Sequence, residues 1–195
     1  MKYTSIALFC GSATGNRPEY AQQAREIGLR MAEMGLTLYY GGGSIGLMKI
    51  AAEAVMEKGG KAIGVAPDFF AKGRVLADNI TQMIYVKSMS ERKQLLEKEA
   101  DAFVALPGGF GTMDELFEVL TDSQLGMHAK PIILYNYNGF YDPLIAQLHL
   151  FAEEGFLRPF HKELLLTATN LDELFDCIES YENGNDQEWL KKIKQ

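Results

Sequence analysis

Short apolar runs alternate with stretches of helical periodicity along most of the chain. Runs of strand length predict β-strands at residues 5–10, 37–40, 61–65, 82–86, 102–106, 131–135 and 164–167. Apolar positions at helical spacing predict helices at residues 18–34, 45–58, 88–100, 111–125, 141–154 and 171–181, with a turn and a short terminal helix within residues 183–195. This alternation is typical of βαβ units and predicts an α/β fold: a Rossmann-like, doubly wound parallel sheet with helices on both faces.

The ends of these elements carry local signals. Pro18 suits a helix start, whereas Gly35 and the pair at 59–60 stand where helices should stop. Residues 67–81 have weak periodicity, so we expect them to form the longest loop. No internal repeat or linker interrupts the pattern, and 195 residues suffice to bury a core, so we expect one domain over residues 1–195.

Composition and charge narrow the classes of function. Hydrophobic residues make up 47% of the chain and charged residues 23%, which is ordinary for a globular enzyme. The net charge of −7 argues against binding to nucleic acid or to a membrane surface, because both need clustered cations. We therefore expect a small-molecule ligand, and an anion would need local positive potential from helix N-termini and a few Arg or Lys side chains.

The cysteines and the N-terminal stretch bear on the compartment. Cys10 and Cys177 form neither a metal-binding spacing nor a disulfide framework, which favours a reducing, cytoplasmic setting. The stretch "MKYTSIALFC" has too short an apolar run for a secretory signal and predicts a buried first strand. No apolar run approaches the length that crosses a membrane.

Three glycine clusters follow predicted strands. They are "CGSATG" at 10–15, "GGGSIG" at 41–46 and "PGGFGT" at 107–112. The carboxyl ends of parallel strands share one edge of the sheet, and ligands of such folds bind in the crevice there. We therefore expect the three clusters to line one site.

The middle cluster fits more than one motif. Residues 41–46 match the dinucleotide fingerprint G-x-G-x-x-G, with Asp68 at about the expected distance, and this leaves a nicotinamide-dependent oxidoreductase as one alternative. The same stretch matches the nucleophile elbow G-x-S-x-G around Ser44. A plain backbone turn and a contact with a smaller nucleotide are the other interpretations.

The sequence contains no motif typical of a metal site or of a nucleoside triphosphate site. No Gly-Lys-Ser/Thr follows a glycine loop, so a Walker-type site is not expected. His128, His149 and His161 stand apart, without the spacing that places two ligands on one helical face. We expect no metal and no cofactor.

The stretch "LPGGFGTMDE", residues 106–115, poses the sharpest choice. Thr112 and Glu115 have the spacing of a capping box, which would need no ligand. That box does not require Gly108, Gly109 and Gly111 together, whereas a loop without side chains lets backbone N–H groups approach a phosphate at the start of a helix.

Two cations stand early in the helix predicted from Ser88 or Ser90. Arg92 and Lys93 lie near its N-terminus, where the helix dipole disfavours positive charge. Either they extend into water or an anion nearby compensates them.

These blocks together resemble a known family. "PGGFGTMDE" is similar to Pro-Gly-Gly-x-Gly-Thr-x-x-Glu, the signature of the LONELY GUY (LOG) family of cytokinin riboside 5′-monophosphate phosphoribohydrolases. "FCGS", "YYGGGSIGLM" and "MSERK" resemble the family's other blocks in the same order, so the resemblance covers nearly the whole chain. Some relatives have carried the label "lysine decarboxylase", although no lysine here stands in a recognisable pyridoxal-phosphate context.

The resemblance implies hydrolysis of the N-glycosidic bond of a nucleoside 5′-monophosphate to a free base and ribose 5-phosphate. It implies that Glu115 and Arg92 are catalytic, with the carboxylate near the ribose and the guanidinium near the departing base. The implied substrate-binding residues are Gly11, Ser12, Gly42, Gly43, Met89, Lys93, Gly108, Gly109, Phe110, Gly111, Thr112 and Thr121, with Gly109, Gly111 and Thr112 as the phosphate cradle. It also implies a homodimer, in which the helix containing Leu116, Phe117, Val119 and Leu120 supplies part of the interface.

Three positions depart from the family pattern. Ser90 stands where many relatives have His, Lys49 where many have Gly, and Arg74 where a substrate-contacting Glu is common. The base therefore stays open between a cytokinin precursor, plain AMP and another monophosphate. A non-catalytic nucleotide carrier or sensor on the same fold is the alternative from another class of protein.

Overall fold

A computed structural model describes residues 2–73 and 75–182 and shows a seven-stranded, fully parallel sheet. In chain order the strands are β1 (Ser5–Phe9), β2 (Thr37–Tyr40), β3 (Lys61–Pro67), β4 (Gln82–Val86), β5 (Ala102–Ala105), β6 (Ile132–Tyr135) and β7 (Leu165–Ala168). Their order across the sheet is β4-β3-β2-β1-β5-β6-β7. Every residue of β1, β5 and β6 is buried, as expected for central parallel strands covered on both faces.

Six α-helices cover the two faces of the sheet. They are α1 (Pro18–Glu33), α2 (Gly46–Glu57), α3 (Met89–Glu99), α4 (Phe110–Gln124), α5 (Asp142–Glu153) and α6 (Leu171–Ser180). Helices α1, α2 and α6 pack on one face around Ile27 and Leu174, and α3, α4 and α5 pack on the other around Leu96 and Leu116. The predicted doubly wound fold is confirmed, and most predicted boundaries lie within one or two residues of the observed ones.

The predicted long loop, residues 67–81, is more ordered than its sequence indicates. Strand β3 continues to Pro67, and a 3-10 helix follows at Asp68–Gly73. The chain then pairs with the middle glycine loop: the Ser44 amide donates to the Val75 carbonyl at 2.8 Å, and the Ala77 amide donates to the Gly42 carbonyl at 2.8 Å. Arg74 and the predicted terminal helix at 183–195 lie outside the described residues.

Side-chain capping related to the capping box does occur in this protein, at the start of α3. The Ser88 hydroxyl accepts a hydrogen bond from the Glu91 amide at 3.1 Å, and the Glu91 carboxylate accepts one from the Lys87 amide at 2.7 Å. Ser88, and not Ser90, is therefore the N-cap. This start sets the phase of α3 and with it the direction of Arg92.

The strand order places a topological switch point in the middle of the sheet. The chain builds outward from β1 through β2 and β3 to β4, and then returns to place β5 on the other side of β1. Connections that leave in opposite directions open a crevice beyond the ends of β1 and β5. None of the helices in the described residues is long and apolar enough to span a membrane.

Candidate active site

The three glycine loops interlock at this switch point. The Gly11 amide donates to the Pro107 carbonyl at 3.1 Å, which joins the first loop to the third. The Leu47 amide donates to the Gly11 carbonyl at 3.0 Å, which joins the first loop to the second. Gly46 has φ of +65°, and a Cβ there would press on the backbone of Ser12, so this close approach needs glycine.

A cavity of about 440 Å³ opens between the loops. Most of the residues implied by the family resemblance line it: Gly11, Ser12, Gly43, Met89, Arg92, Gly109, Phe110, Gly111, Thr112 and Glu115. One wall is polar and contains Arg92, Thr112 and Glu115. The rest is largely apolar and contains Ile45, Met48, Phe70, Val75, Leu76 and Met89.

Helix α4 begins at the polar wall without a side-chain cap. Its N-cap is Gly109, so Thr112 is the third helical residue and the Thr112–Glu115 capping box does not form. The first intrahelical bond joins the Met113 amide to the Gly109 carbonyl at 3.1 Å. The amides before Met113 have no acceptor within the helix, and such N–H groups favour an anion.

The glycines of this loop serve different purposes. A Cβ on Gly108 would lie 2.7 Å from the Cβ of Thr112, so packing requires glycine there. A Cβ on Gly109 or Gly111 would meet no atom of the protein within 4 Å, and neither residue has a positive φ. Neither packing nor backbone geometry explains these two glycines, whereas a ligand lying against the loop would.

Arg92 and Glu115 form a buried ion pair in the wall of the cavity. Arg92 Nη1 lies 2.6 Å from Glu115 Oε1, and each residue is 8% exposed. Arg92 Nε also donates to the Val65 carbonyl at 3.0 Å, which fixes the plane of the guanidinium. The structure thus brings together two residues from helices on one face of the sheet and orients them toward the same cavity.

Burial governs the protonation of Glu115. Desolvation raises the pKa of its carboxyl above the usual value, and the charge and hydrogen bond of Arg92 oppose that rise. Asp114 raises this pKa further, whereas Lys93 lowers it. The neighbouring Cys10 is also buried, and burial followed by the Glu115 charge raises the pKa of its thiol, so Cys10 stays neutral.

Gly41 makes room for the Arg92 side chain. A Cβ at this position would collide with Arg92 Nη2 and would lie 3.3 Å from Met48 Sδ. Arg92 cannot move aside without losing its bonds to Glu115 and to the Val65 carbonyl. The glycine that follows β2 is therefore a requirement of the ion pair.

We expect Gly41→Ala to lower by about tenfold or more any activity that depends on the Arg92–Glu115 pair while the protein stays folded, because misplacement of a charged group by a fraction of an ångström is costly. Gly73→Ala is the matched control, since its Cβ would meet only Val75 methyl groups at 3.6 and 3.8 Å. Steady-state rates and melting curves of both variants test this. Equal activity in the two variants would mean that Arg92 tolerates displacement.

Four of the implied binding residues do not line the cavity: Gly42, Lys93, Gly108 and Thr121. Gly42 has φ of +72° and packs on Met83. The Thr121 hydroxyl donates to the Phe117 carbonyl at 2.7 Å within its own helix. The substrate contacts implied for Lys93 and Thr121 stay predictions.

The apolar wall is the part of the site that the sequence pattern missed. Val75 and Leu76 reach the cavity because their segment pairs with the middle glycine loop, and Phe70 reaches it from the preceding 3-10 helix. Apolar side chains within the predicted long loop, residues 67–81, were the available signal. Of the family departures, Ser90 lies exposed in the first turn of α3, and Lys49 pairs with Glu53 at 3.7 Å on α2.

The residues considered for a serine nucleophile or for metal binding lie in different parts of the structure. Ser44 lies between β2 and α2, whereas the histidines lie beside α4 and α5: His128 contacts the Val119 carbonyl at 2.9 Å, and His149 and His161 line a groove with Leu120. Among the residues that the structure describes, no three His, Cys, Asp or Glu side chains are grouped closely enough to hold a metal ion.

Fold and site together define a class: a doubly wound α/β protein with a small-molecule cavity at the switch point of its sheet, bounded by a helix N-terminus and a buried Arg–Glu pair. The family model described as "Possible lysine decarboxylase" matches residues 48–178. The chain is 38% identical to cytokinin riboside 5′-monophosphate phosphoribohydrolase LOG2 of Arabidopsis thaliana, over 92% of this chain and 84% of that protein. It is 40% identical to the enzyme LOG of Oryza sativa subsp. japonica, over 92% of this chain and 74% of that one.

The chain therefore belongs to the LONELY GUY (LOG) family of phosphoribohydrolases, and the family resemblance is confirmed. Among solved structures, the molybdenum cofactor binding protein from Rippkaea orientalis is similar, with a TM-score of 0.69 over 92% of this chain and 98% of that one. At 23% identity this likeness concerns the fold alone.

Proposed function

We propose that this protein hydrolyses the N-glycosidic bond of a nucleoside 5′-monophosphate and releases the free base and ribose 5-phosphate. The observation that carries the proposal is the buried Arg92–Glu115 pair, which faces the same cavity as the glycine loop at the start of α4. The relatives named as phosphoribohydrolases, aligned over most of this chain, support the same reaction.

The 5′-phosphate lies against residues 109–112 in this proposal. The free amides at the start of α4 donate to the phosphate oxygens, and the helix dipole favours the dianion. Gly109 and Gly111 leave open space on the side that the phosphate would occupy. Thr112, buried at the polar wall, adds a hydroxyl to this cradle.

The reaction adds water across the bond between C1′ of the ribose and a nitrogen of the base. As that bond breaks, positive charge develops on the ribose and negative charge on the base. The Glu115 carboxylate stabilises the first and accepts a proton from the attacking water, whose oxygen bonds to C1′. Arg92, which stays charged, stabilises the departing base, and the base nitrogen takes up a proton from the solvent.

The apolar wall supports binding of the base. A flat ring and any apolar substituent on it would lie against Met48, Phe70 and Leu76, which line the cavity with the polar wall. Burial of such surface contributes to binding without requiring charge complementarity.

We propose that the protein works as a homodimer through the outer faces of α4 and α5. Leu116 and Val119 are buried in the core of the chain, 0% and 3% exposed, so the surface that α4 offers to a partner lies elsewhere on the helix. Phe117 and Leu120 instead lie in an apolar groove of about 250 Å³ that α5 completes. Sedimentation of the wild type and of Phe117→Glu tests this proposal.

A reducing, cytoplasmic compartment is the setting we propose. Cys10 is buried in the core and Cys177 is half-buried, and both are free thiols. Free thiols without partners are usual where disulfides do not persist.

Turnover should require the 5′-phosphate. We expect AMP, or a monophosphate of a substituted adenine, to release base at least about tenfold faster than the matching nucleoside, because the helix N-terminus and loop amides bind the dianion. A panel of nucleosides and of mono-, di- and triphosphates, separated by chromatography and scored for free base, measures this. Equal turnover of AMP and adenosine would show that the loop at residues 109–112 does not bind the 5′-phosphate during the reaction.

A variant at residue 109 tests where the phosphate binds. The Gly109 Cβ position is unobstructed by protein, so Gly109→Val should fold and should raise KM for the monophosphate by filling the phosphate space. The ratio between monophosphate and nucleoside should then fall. Tight binding of AMP by the wild type without any base release would instead support the nucleotide-carrier alternative.

A further inference from the structure

Helices α3 and α4 are joined by three ion pairs, which two neighbouring cations of α3 make with three carboxylates of α4. On the inner side, Arg92 pairs with Glu115. On the outer side, the next residue of α3, Lys93, lies 3.0 Å from Asp114 Oδ1 and also pairs with Glu118. The two cations are thus neighbours on one helix, and their partners stand within one turn of each other on the other.

Lys93 is held away from the cavity. Its side chain is 18% exposed, and it lies beside a small gap between the helices that Glu115 and Glu118 also line. The cavity wall contains Arg92 but not Lys93. An ammonium bound by two carboxylates has most of its hydrogen-bonding capacity occupied within the protein.

We propose that Lys93 is a positioning residue, which fixes α3 against α4 through Asp114 and Glu118 and thereby holds Arg92 against Glu115. This inference rests on the proposed function of the Arg92–Glu115 pair. It gives Lys93 a role that differs from the substrate contact implied by the family resemblance.

The charges around Glu115 explain why its ionisation would depend on Lys93. The charges of Arg92 and Lys93 act on Glu115 from α3, and that of Asp114 acts from α4 itself. Glu97 and Glu118 line the same small gap as Glu115, and the neutral Cys10 thiol lies just after β1. Lys93 lowers the pKa of Glu115, whereas Asp114 raises it. Removing the ammonium therefore raises the pKa of Glu115 by direct loss of a cation and by leaving the Asp114 charge without its counterion.

The two possible roles of Lys93 predict different kinetics. If Lys93 bound substrate, its loss would raise KM and leave kcat and its pH profile almost unchanged. If Lys93 positions the pair, its loss lowers kcat and moves the acidic limb of the profile to higher pH, because Glu115 then accepts a proton more readily. The sign follows from the requirement for the ionised carboxylate in the proposed reaction.

The test compares Lys93→Met with Lys93→Arg and with the surface control Lys98→Met. Lys98 lies on the same helix with its side chain 78% exposed, so its loss should leave the kinetics unchanged. With the monophosphate that the wild type hydrolyses fastest, we expect Lys93→Met to lower kcat by about tenfold and to shift the acidic limb upward. Lys93→Arg should recover most of the rate, because a guanidinium can bridge two carboxylates.

A mutant cycle tests whether Lys93 affects kcat through Asp114 and Glu118. In the Asp114→Asn/Glu118→Gln background, Lys93→Met should change kcat little further, because the partners through which Lys93 acts are already lost. A full additional loss in that background would overturn the proposal. So would a Lys93→Met variant with a raised KM and a wild-type pH profile.

A readout without turnover separates this inference from the proposed function. Carboxyl ¹³C NMR titration of Glu115, assigned with Glu115→Gln, should show a higher pKa in Lys93→Met than in wild type whether or not base is released. If wild type releases no base but this titration moves as expected, the proposed function fails and the electrostatic link between Lys93 and Glu115 stands. An unchanged titration in an active enzyme overturns the positioning role alone.

Discussion

Glu115→Gln is expected to lower kcat for base release by about a hundredfold or more, the scale of losing a positioned acid–base or electrostatic group. Gln preserves the size of the side chain and one oxygen that can accept from Arg92, but it carries no charge and cannot accept a proton from water. Phosphate or AMP binding should survive, because the loop amides at residues 109–112 are unchanged. Rates, AMP affinity and melting temperature measured on one preparation test all three points.

The structure changes the expected stability of this variant. If Glu115 closed a capping box, Gln would replace it without loss of stability, since Gln also serves there. Instead α4 begins at Gly109 without a side-chain cap, and Glu115 neutralises a buried cation. Leaving Arg92 buried without its counterion should reduce the free energy of unfolding by about 1–3 kcal/mol, softened by the remaining hydrogen bond.

Glu53→Gln is the matched control for Glu115→Gln. Glu53 pairs with Lys49 at 3.7 Å on the surface of α2, with its side chain 57% exposed, and exposed pairs contribute little to stability. Its rate and melting temperature should match the wild type. If Glu115→Gln releases base at the wild-type rate, Glu115 is a structural partner of Arg92 and the proposed mechanism is wrong.

Arg92→Lys should lower kcat by about tenfold or more, although the positive charge is retained. Arg92 reaches the Glu115 carboxylate with Nη1 and the Val65 carbonyl with Nε, so two separate nitrogens of one rigid plane are in use. A single ammonium cannot satisfy both acceptors in that geometry. The KM should change less than kcat, since the phosphate cradle is separate from this side chain.

Arg25→Lys makes the same chemical change at an exposed pair and serves as the control. Arg25 lies 2.7 Å from Glu57 with its side chain 47% exposed. Melting curves of both variants establish folding, and the kcat of each is compared with wild type. Wild-type kinetics in Arg92→Lys would show that charge alone suffices and that the fixed plane of the guanidinium is irrelevant.

The pH dependence of wild type should reflect the buried carboxyl. Burial raises the pKa of Glu115, so this carboxyl takes up its proton at a higher pH than an exposed carboxyl does. As the pH is lowered, activity should therefore be lost at a higher pH than an exposed carboxyl would give. Glu115→Gln should lack this limb in its residual activity. Measuring kcat of wild type and of Glu115→Gln in a series of buffers tests both points.

The sequence by itself determined the βαβ order, most element boundaries and the convergence of the three glycine loops. These features are local: hydrophobic period separates strand from helix, glycine and proline mark the ends, and parallel strands bring their carboxyl ends to one edge. The identity of the motif residues therefore indicated both the family and the edge of the sheet where the site lies. The resemblance of "PGGFGTMDE" and "MSERK" to two blocks of the LOG family was sufficient to name Glu115 and Arg92.

Only the tertiary structure decided what those residues contact. Ser88 caps a helix with its side chain and Thr112 does not, because α4 starts two residues before Thr112, at Phe110. Arg92 meets Glu115 only because α3 and α4 lie on the same face of the sheet, where long side chains bridge them, and Lys93 reaches Asp114 for the same reason. Burial, ion pairing and the pKa of Glu115 arise from this packing of helices distant in sequence, which no local pattern of residues encodes.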